Sequence, residues 1–255
     1  GNAATEVSVT GIFFDTTVPA DFTVGSVITT GGTVTAGKWN STNTGINVTV
    51  PLPNDATLVD GTLLIRANVA SGGYEDLGSA QTISDGEQGT SKTVSFNAAT
   101  FEALSSGISD GESILFTAIL TDKAGNATTG TQSGTSIAFD QSVPAFSSLS
   151  PSSNSSVKVA DVGYTLSETI ASGTVKYTQT AGSGSDGPHT VSLSGAELNT
   201  GVRSLAALTN APTLVSGLTY QIDFNGVDAA GNAATEVSVT GIFFDTTVPA
   251  DFTVG

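Results

Sequence analysis

The chain has 255 residues, with seven basic side chains against 23 acidic ones, a net charge of −16, and neither cysteine nor methionine. That balance excludes a nucleic-acid partner and an anionic membrane surface, since nothing here neutralises a row of phosphates. The missing cysteines exclude a disulfide framework and thiol redox chemistry. Only 12% of residues are charged and 38% are hydrophobic. The acids are therefore placed groups on a Ser/Thr/Gly-rich background that can still build a core, and they either keep the chain dispersed or hold cations.

In chain order, period-two alternation dominates and helical periodicity is nearly absent. Residues 1–17 read as the last strand and linker of a preceding repeat. Over residues 18–142 the pattern predicts strands at 45–51, 62–69 and 92–96, one or two helical turns at 98–106, and a hairpin with arms 112–122 and 127–140. On the first arm Ile114, Phe116, Ala118 and Leu120 fall on one face. Residues 143–247 repeat the plan, with strands at 162–166, 173–178, 189–193 and 202–208, a weaker helical turn at 195–200, and a hairpin with arms 219–228 and 233–245. There Tyr220, Ile222 and Phe224 share one face, and Val237, Val239 and Phe243 share another. Tyr220 stands where a tyrosine corner would, with Ile114 in its place in the first domain. Residues 248–255 begin the next repeat. The apolar runs are strand-sized, no leader precedes the first residues, and the chain begins in mid-pattern, so a piece of something longer is expected.

Two repeats organise this pattern. Residues 1–25, GNAATEVSVTGIFFDTTVPADFTVG, recur letter for letter as residues 231–255, an offset of 230. Inside that unit, Asp122 and Asp228 each open a D-x-A-G-N string, followed by a strand-like run and then F-D-x-x-V-P. The boundary acids Asp15, Asp140 and Asp245 cut the unit into domains of about 125 and 105 residues, ordinary β-sandwich sizes. The fold expected is all-β: tandem immunoglobulin-like antiparallel β-sandwiches in an extended rod. Repeating a unit lengthens a stalk but adds little to a catalyst.

The D-x-A-G-N and F-D-x-x-V-P strings resemble the tandem bacterial immunoglobulin-like repeats of giant adhesins and biofilm-associated surface proteins. The resemblance extends to YTLSETIASG, residues 164–173, which is similar to the segment between strands B and C of that family. It implies an extracellular, cell-surface or secreted location and calcium at the joints, where the ion stiffens the rod. Sandwich geometry gathers the same residues. The chain enters at one pole, beside the B–C, D–E and F–G turns. Asp122 and Asn126 are thus expected to meet Asp15, with Asp55 as the fourth member. Asp228 and Asn232 are expected to meet Asp140 and Glu168, and Asp245 to serve the domain that follows. Calcium takes six to eight oxygens, which two or three carboxylates, turn carbonyls and water supply. The alternative for each Asp is that it only satisfies turn amides.

No nucleophile–base spacing surrounds the single histidine, His189, and no G-x-S-x-G is present, so a surface histidine and a chain that is not an enzyme are expected. Trp39, the sole tryptophan, is expected in the core rather than as a ligand platform. The leading function is a spacer or filament projecting an adhesive tip. Its partners are neighbouring copies of the repeat, with residues 1–14 available for strand addition to another chain. The alternative is an adhesive module that recognises a glycan or a host protein through the longer loops of the first domain, residues 71–89. A third reading, an accessory module of a secreted polysaccharide-degrading enzyme, needs a catalytic region outside this chain.

Overall fold

The computed structural model describes residues 14–251. The expected strand over residues 1–14, apart from Phe14, its pairing beside Val7 and Val9, and the last four residues of the chain lie outside these. The chain divides between Asp140 and Gln141 into two compact units. Both are β-sandwiches, and each carries its own buried hydrophobic cluster.

In the first unit, β1 (Val27–Thr30), β3 (Gly45–Pro51) and β7 (Ser91–Asn97) form one antiparallel sheet, in the order β1-β3-β7. The other sheet runs β2 (Lys38–Trp39), β10 (Ile137–Phe139), β8 (Ser113–Thr121), β4 (Thr62–Val69), β5 (Tyr74–Asp76); β6 (Gln81–Thr82) also pairs with β4, and β9 (Ala127–Thr129) with β8. All pairs are antiparallel except β2 with β10. This is the immunoglobulin-like plan, in which the first strand starts in one sheet and crosses to the other. β4 alternates strictly between half-buried and buried residues, and Ile114, Phe116, Ala118 and Leu120 of β8 are fully buried, as period two requires. The helical turns lie where the sequence places them. α1 (Ala98–Glu102) is capped by the Asn97 side chain, and a 3-10 turn follows at Leu104–Ser106.

The second unit repeats the plan. β11 (Phe146–Ser150), β13 (Val162–Leu166) and β16 (Gly201–Ala206) form one sheet. β12 (Ser156–Val157), β18 (Val237–Phe244), β17 (Leu218–Val227), β14 (Ser172–Ala181) and β15 (His189–Ser192) form the other, with β12 parallel to β18. The weaker helical turn is a 3-10 turn at Gly195–Leu198, closed by a capping box between Ser194 and Glu197. Tyr220 is a tyrosine corner in fact: its hydroxyl accepts the Val215 N–H at 3.0 Å, five residues upstream. Within the described residues no helix is long and apolar enough to cross a membrane.

Two strand expectations need correction. The second arm of the first hairpin is not one strand over 127–140. It breaks into β9 and β10, and the intervening stretch packs instead on the entering chain, with the Thr131 N–H donating to Phe22 O at 2.8 Å. In β18, Phe243 is not on the face of Val239. Ile222 pairs with Val239 but Tyr220 pairs with Ile242, so one extra residue enters β18. Gly241, at φ +70°, absorbs that bulge, and the phase flips, so that Ile242 and Phe244 are buried and Phe243 is exposed.

Candidate metal centre

Both D-x-A-G-N strings fold into the same turn, organised by the aspartate. In the second unit Asp228 Oδ1 accepts the N–H groups of Ala230, Gly231 and Asn232 at 2.8, 2.7 and 2.8 Å. Its Oδ2 accepts Asn232 Nδ2 at 2.8 Å, and the Asp228 N–H donates to Asn232 O at 3.0 Å to close the loop. In the first unit Asp122 Oδ1 accepts the Asn126 N–H at 2.8 Å and Oδ2 accepts Asn126 Nδ2 at 2.9 Å. The glycines, Gly125 at φ +97° and Gly231 at φ +98°, occupy the left-handed region that the turn demands. Asp122 and Asp228 are each only 4% exposed. Burial pushes the Asp122 carboxyl up. Hydrogen bonds from the Asn126 side chain and from the Asn126, Gly125 and Ala124 amides outweigh it and hold the group below the ordinary carboxylate range.

Around the first turn, Asn126 Nδ2 also donates to the backbone oxygen of Asp15, at 3.2 Å. Asp15 Oδ1 accepts the Thr17 N–H at 2.9 Å, while its Oδ2 is buried with no hydrogen-bond partner. Asp55 caps a 3-10 turn that lies against this one: the Lys123 N–H donates to Thr57 O at 3.0 Å, and Asp55 Oδ1 accepts from Thr57 N at 2.9 Å and Thr57 Oγ1 at 2.7 Å. Asp60 also reaches the D-K-A-G-N string from outside, paired with Lys123 at 2.7 Å.

Around the second turn, Glu168 and Asp228 place carboxylate oxygens within 4.8 Å of each other. Asp140 is the last residue of the first unit, Glu168 lies between β13 and β14, and Asp228 follows β17. Asn232 completes the group through its bonds to Asp228. Asp245 sits apart from these residues, exposed, with Oδ1 accepting the Thr247 N–H at 2.8 Å and the Ser216 hydroxyl at 3.4 Å. The Thr247 amide holds its carboxyl below the usual range.

The donor sets fit a hard cation. They are all oxygen, and the buried, unpartnered Asp15 Oδ2 is the kind of orphan that a metal ion satisfies. At the second turn the like charges repel one another unless a cation stands between them. Asp122 and Asp228 are also committed to their turns, so the turn-forming and metal-holding readings coincide on the same side chains.

A second polar cluster escapes sequence reasoning. Asp186, in the turn between β14 and β15, accepts the Tyr220 hydroxyl at 2.6 Å and meets His189 Nε2 at 2.8 Å. His189 stands partly exposed, as the partner of Asp186. The Tyr220 hydroxyl holds the Asp186 carboxyl below its ordinary value, burial opposes this, and His189 adds to it. Burial, with Asp186, pushes the Tyr220 hydroxyl up to about 12. Glu197 closes the capping box with Ser194. Burial raises its carboxyl, but the amides of Thr209 and Ser194 hold it lower. A carboxyl lowered by folding gives stability that is present above its unfolded pKa and lost as pH falls through its folded value. The chain is therefore expected to keep its urea midpoint from neutrality to about pH 4 and to lose it progressively below. Asp186→Asn should flatten the acid limb of the second unit. A midpoint unchanged between about pH 5 and pH 2.5 would overturn this reading.

Among known proteins, no family model matches this chain and no curated protein matches it. Solved structures do. A 1.5-MDa bacterial ice-binding adhesin, studied for host cell surface retention, is similar over 90% of this chain and 67% of its own, at 14% identity and TM-score 0.42. The fibronectin domains FN1–FN3 of chicken CNTN1 are similar over 88% of this chain and 64% of their own, at 11% identity and TM-score 0.36. The fibronectin(III)-like modules of Clostridium thermocellum CbhA are similar over 85% of this chain and 94% of their own, at 14% identity and TM-score 0.34. At such scores the likenesses bear on no functional point.

Proposed function

We propose that this chain is a structural repeat segment of a long extracellular surface protein, acting as a calcium-stiffened spacer in adhesion or cell–cell contact. The observation that carries the reading is the letter-for-letter recurrence of residues 1–25 at residues 231–255. A unit copied without change contributes length and regular spacing. The Val-Pro steps at 18–19, 143–144 and 248–249 limit backbone freedom where one domain follows another. Asp140, Glu168, Asp228 and Asn232 would hold one ion, and Asp15, Asp122 and Asn126 another. Each ion removes the repulsion among its ligands and fixes an entering segment to the turns it passes. The cations also offset part of the −16 charge that keeps neighbouring copies apart.

Small-angle scattering and a thermal melt on two tandem 230-residue units, with calcium and then with chelator, test this. Calcium at about a hundred times its dissociation constant is expected to raise the melting temperature by about 10 °C and to lengthen the particle. Asp140→Asn with Glu168→Gln should abolish most of that response while slightly raising the melting temperature in chelator, because like charges have been removed. If chelation changes neither profile nor melting point, the acids are turn formers only and the calcium reading fails.

A further inference from the structure

We infer that the β18 position of the second unit is a docking site for a second copy of this chain, which supplies residues 1–14 as the replacing strand. Residues 231–244 and 1–14 have the same letters, so each contact that β18 makes can be made by the earlier string. In the second unit β18 lies between β17 and β12, antiparallel to the first and parallel to the second. Its Val239, Ile242 and Phe244 are buried in the hydrophobic cluster of that unit. The Ser238 hydroxyl donates to Asp223 Oδ1 at 2.6 Å, and the Asn232 N–H and Nδ2 both donate to Asp228. The corresponding residues of the incoming string are Val9, Ile12, Phe14, Ser8 and Asn2.

The bulge makes this a replacement of β18 rather than an addition to a free sheet edge. Val239 sits opposite Ile222, Ile242 sits opposite Tyr220, and Gly241, at φ +70°, takes up the extra residue between them. Only that change of phase puts all three apolar side chains on one side. Against a regular edge strand, Val9 would point inward while Ile12 and Phe14 faced water, or the reverse. The first unit offers no equivalent slot, since its last arm breaks into β9 and β10 and packs on the entering chain. Strand and slot therefore fix the partner as another copy of the same sequence. β18 holds the slot through its short connection to β17, an advantage of effective concentration and not of contacts. Exchange between copies is thus governed by whatever weakens the tethered strand, and it links two chains with no loss of contacts.

The probe is a fluorescein-labelled peptide of residues 1–15, titrated in chelator into the 255-residue chain and its variants. Ile12→Asp with Ile242→Asp puts a charge at a core position of both strings and leaves the slot open. That chain should bind the peptide with a Kd of about 10 µM or tighter, and binding should restore the dispersed ¹⁵N amide signals of residues 143–230. Wild type keeps its tethered strand and should bind about a hundredfold more weakly. A peptide carrying Ile12→Asp should not bind. Ile242→Asp alone retains one intact string, so at about 100 µM it should sediment as a ladder of linked chains while the double variant stays single. The inference is overturned if the peptide fails to restore those signals, or if wild type or the altered peptide binds equally well. It is equally overturned if Ile242→Asp stays single at about 100 µM. Because no calcium is present, each of these outcomes leaves the calcium-stiffened spacer reading untouched.

Discussion

Replacing Asp228 by alanine is expected to cost the second unit about 3–5 kcal/mol in chelator, from the turn alone. The carboxylate accepts three backbone N–H groups and one side-chain amide, all within a turn where Asp228 is 4% exposed and Asn232 is fully buried. Each donor left without an acceptor in such a place costs about 1–3 kcal/mol, less where water reaches it. Asp228→Asn retains an acceptor for the backbone amides and loses only the bond to Asn232 Nδ2, so about 1–2 kcal/mol is expected. Urea unfolding in chelator measures both. A cost below about 1 kcal/mol for the alanine variant would show that the aspartate does not organise the turn, leaving metal binding as its only role. The pair of variants therefore separates the two duties that the geometry places on one side chain.

Trp39→Ala is expected to be as damaging to the first unit, at about 3–5 kcal/mol. The indole is fully buried, its ring centroid 4.6 Å from that of Phe101, and its Nε1 donates to Glu102 Oε1 at 3.1 Å. It anchors β2, which pairs with β10, to α1. Trp39→Phe keeps much of the apolar volume and loses the hydrogen bond, for about 1–2 kcal/mol. Trp39 is the sole tryptophan, so the intrinsic emission reports on this site alone. That emission should be blue-shifted and poorly quenched by iodide. Efficient quenching in the folded state would place the indole at the surface instead.

Central strands were legible almost to the residue: β3, β4 and β13 lie where alternation puts them, because strands buried on one face must repeat with period two. The edges were not. β1, β2, β11 and β12 carry weak patterns, and pairing with distant strands is what makes them extended. The same holds for the candidate centres. The D-x-A-G-N strings announce a turn through local chemistry, and the repeated layout suggested which acids neighbour it. Whether Asp55 offers a free carboxylate depends on a cap two residues away, and sequence leaves that choice open. The bond from Tyr220 to Asp186 spans 34 positions, and no local pattern encodes it.

The sequence by itself determined the repeat, the acid balance, the absence of cysteine chemistry and the alternation from which two sandwiches follow. Only the tertiary structure decided which of two like neighbours is covered. Phe243 and Phe244 are the same residue side by side on β18, and the bulge at Gly241, set by pairing with β17, leaves the first 38% exposed and the second 7%. Identical letters share the same propensities, since those depend on the local backbone and side chain. Burial depends on which other surfaces arrive, so the surroundings of a residue are settled by the assembled fold.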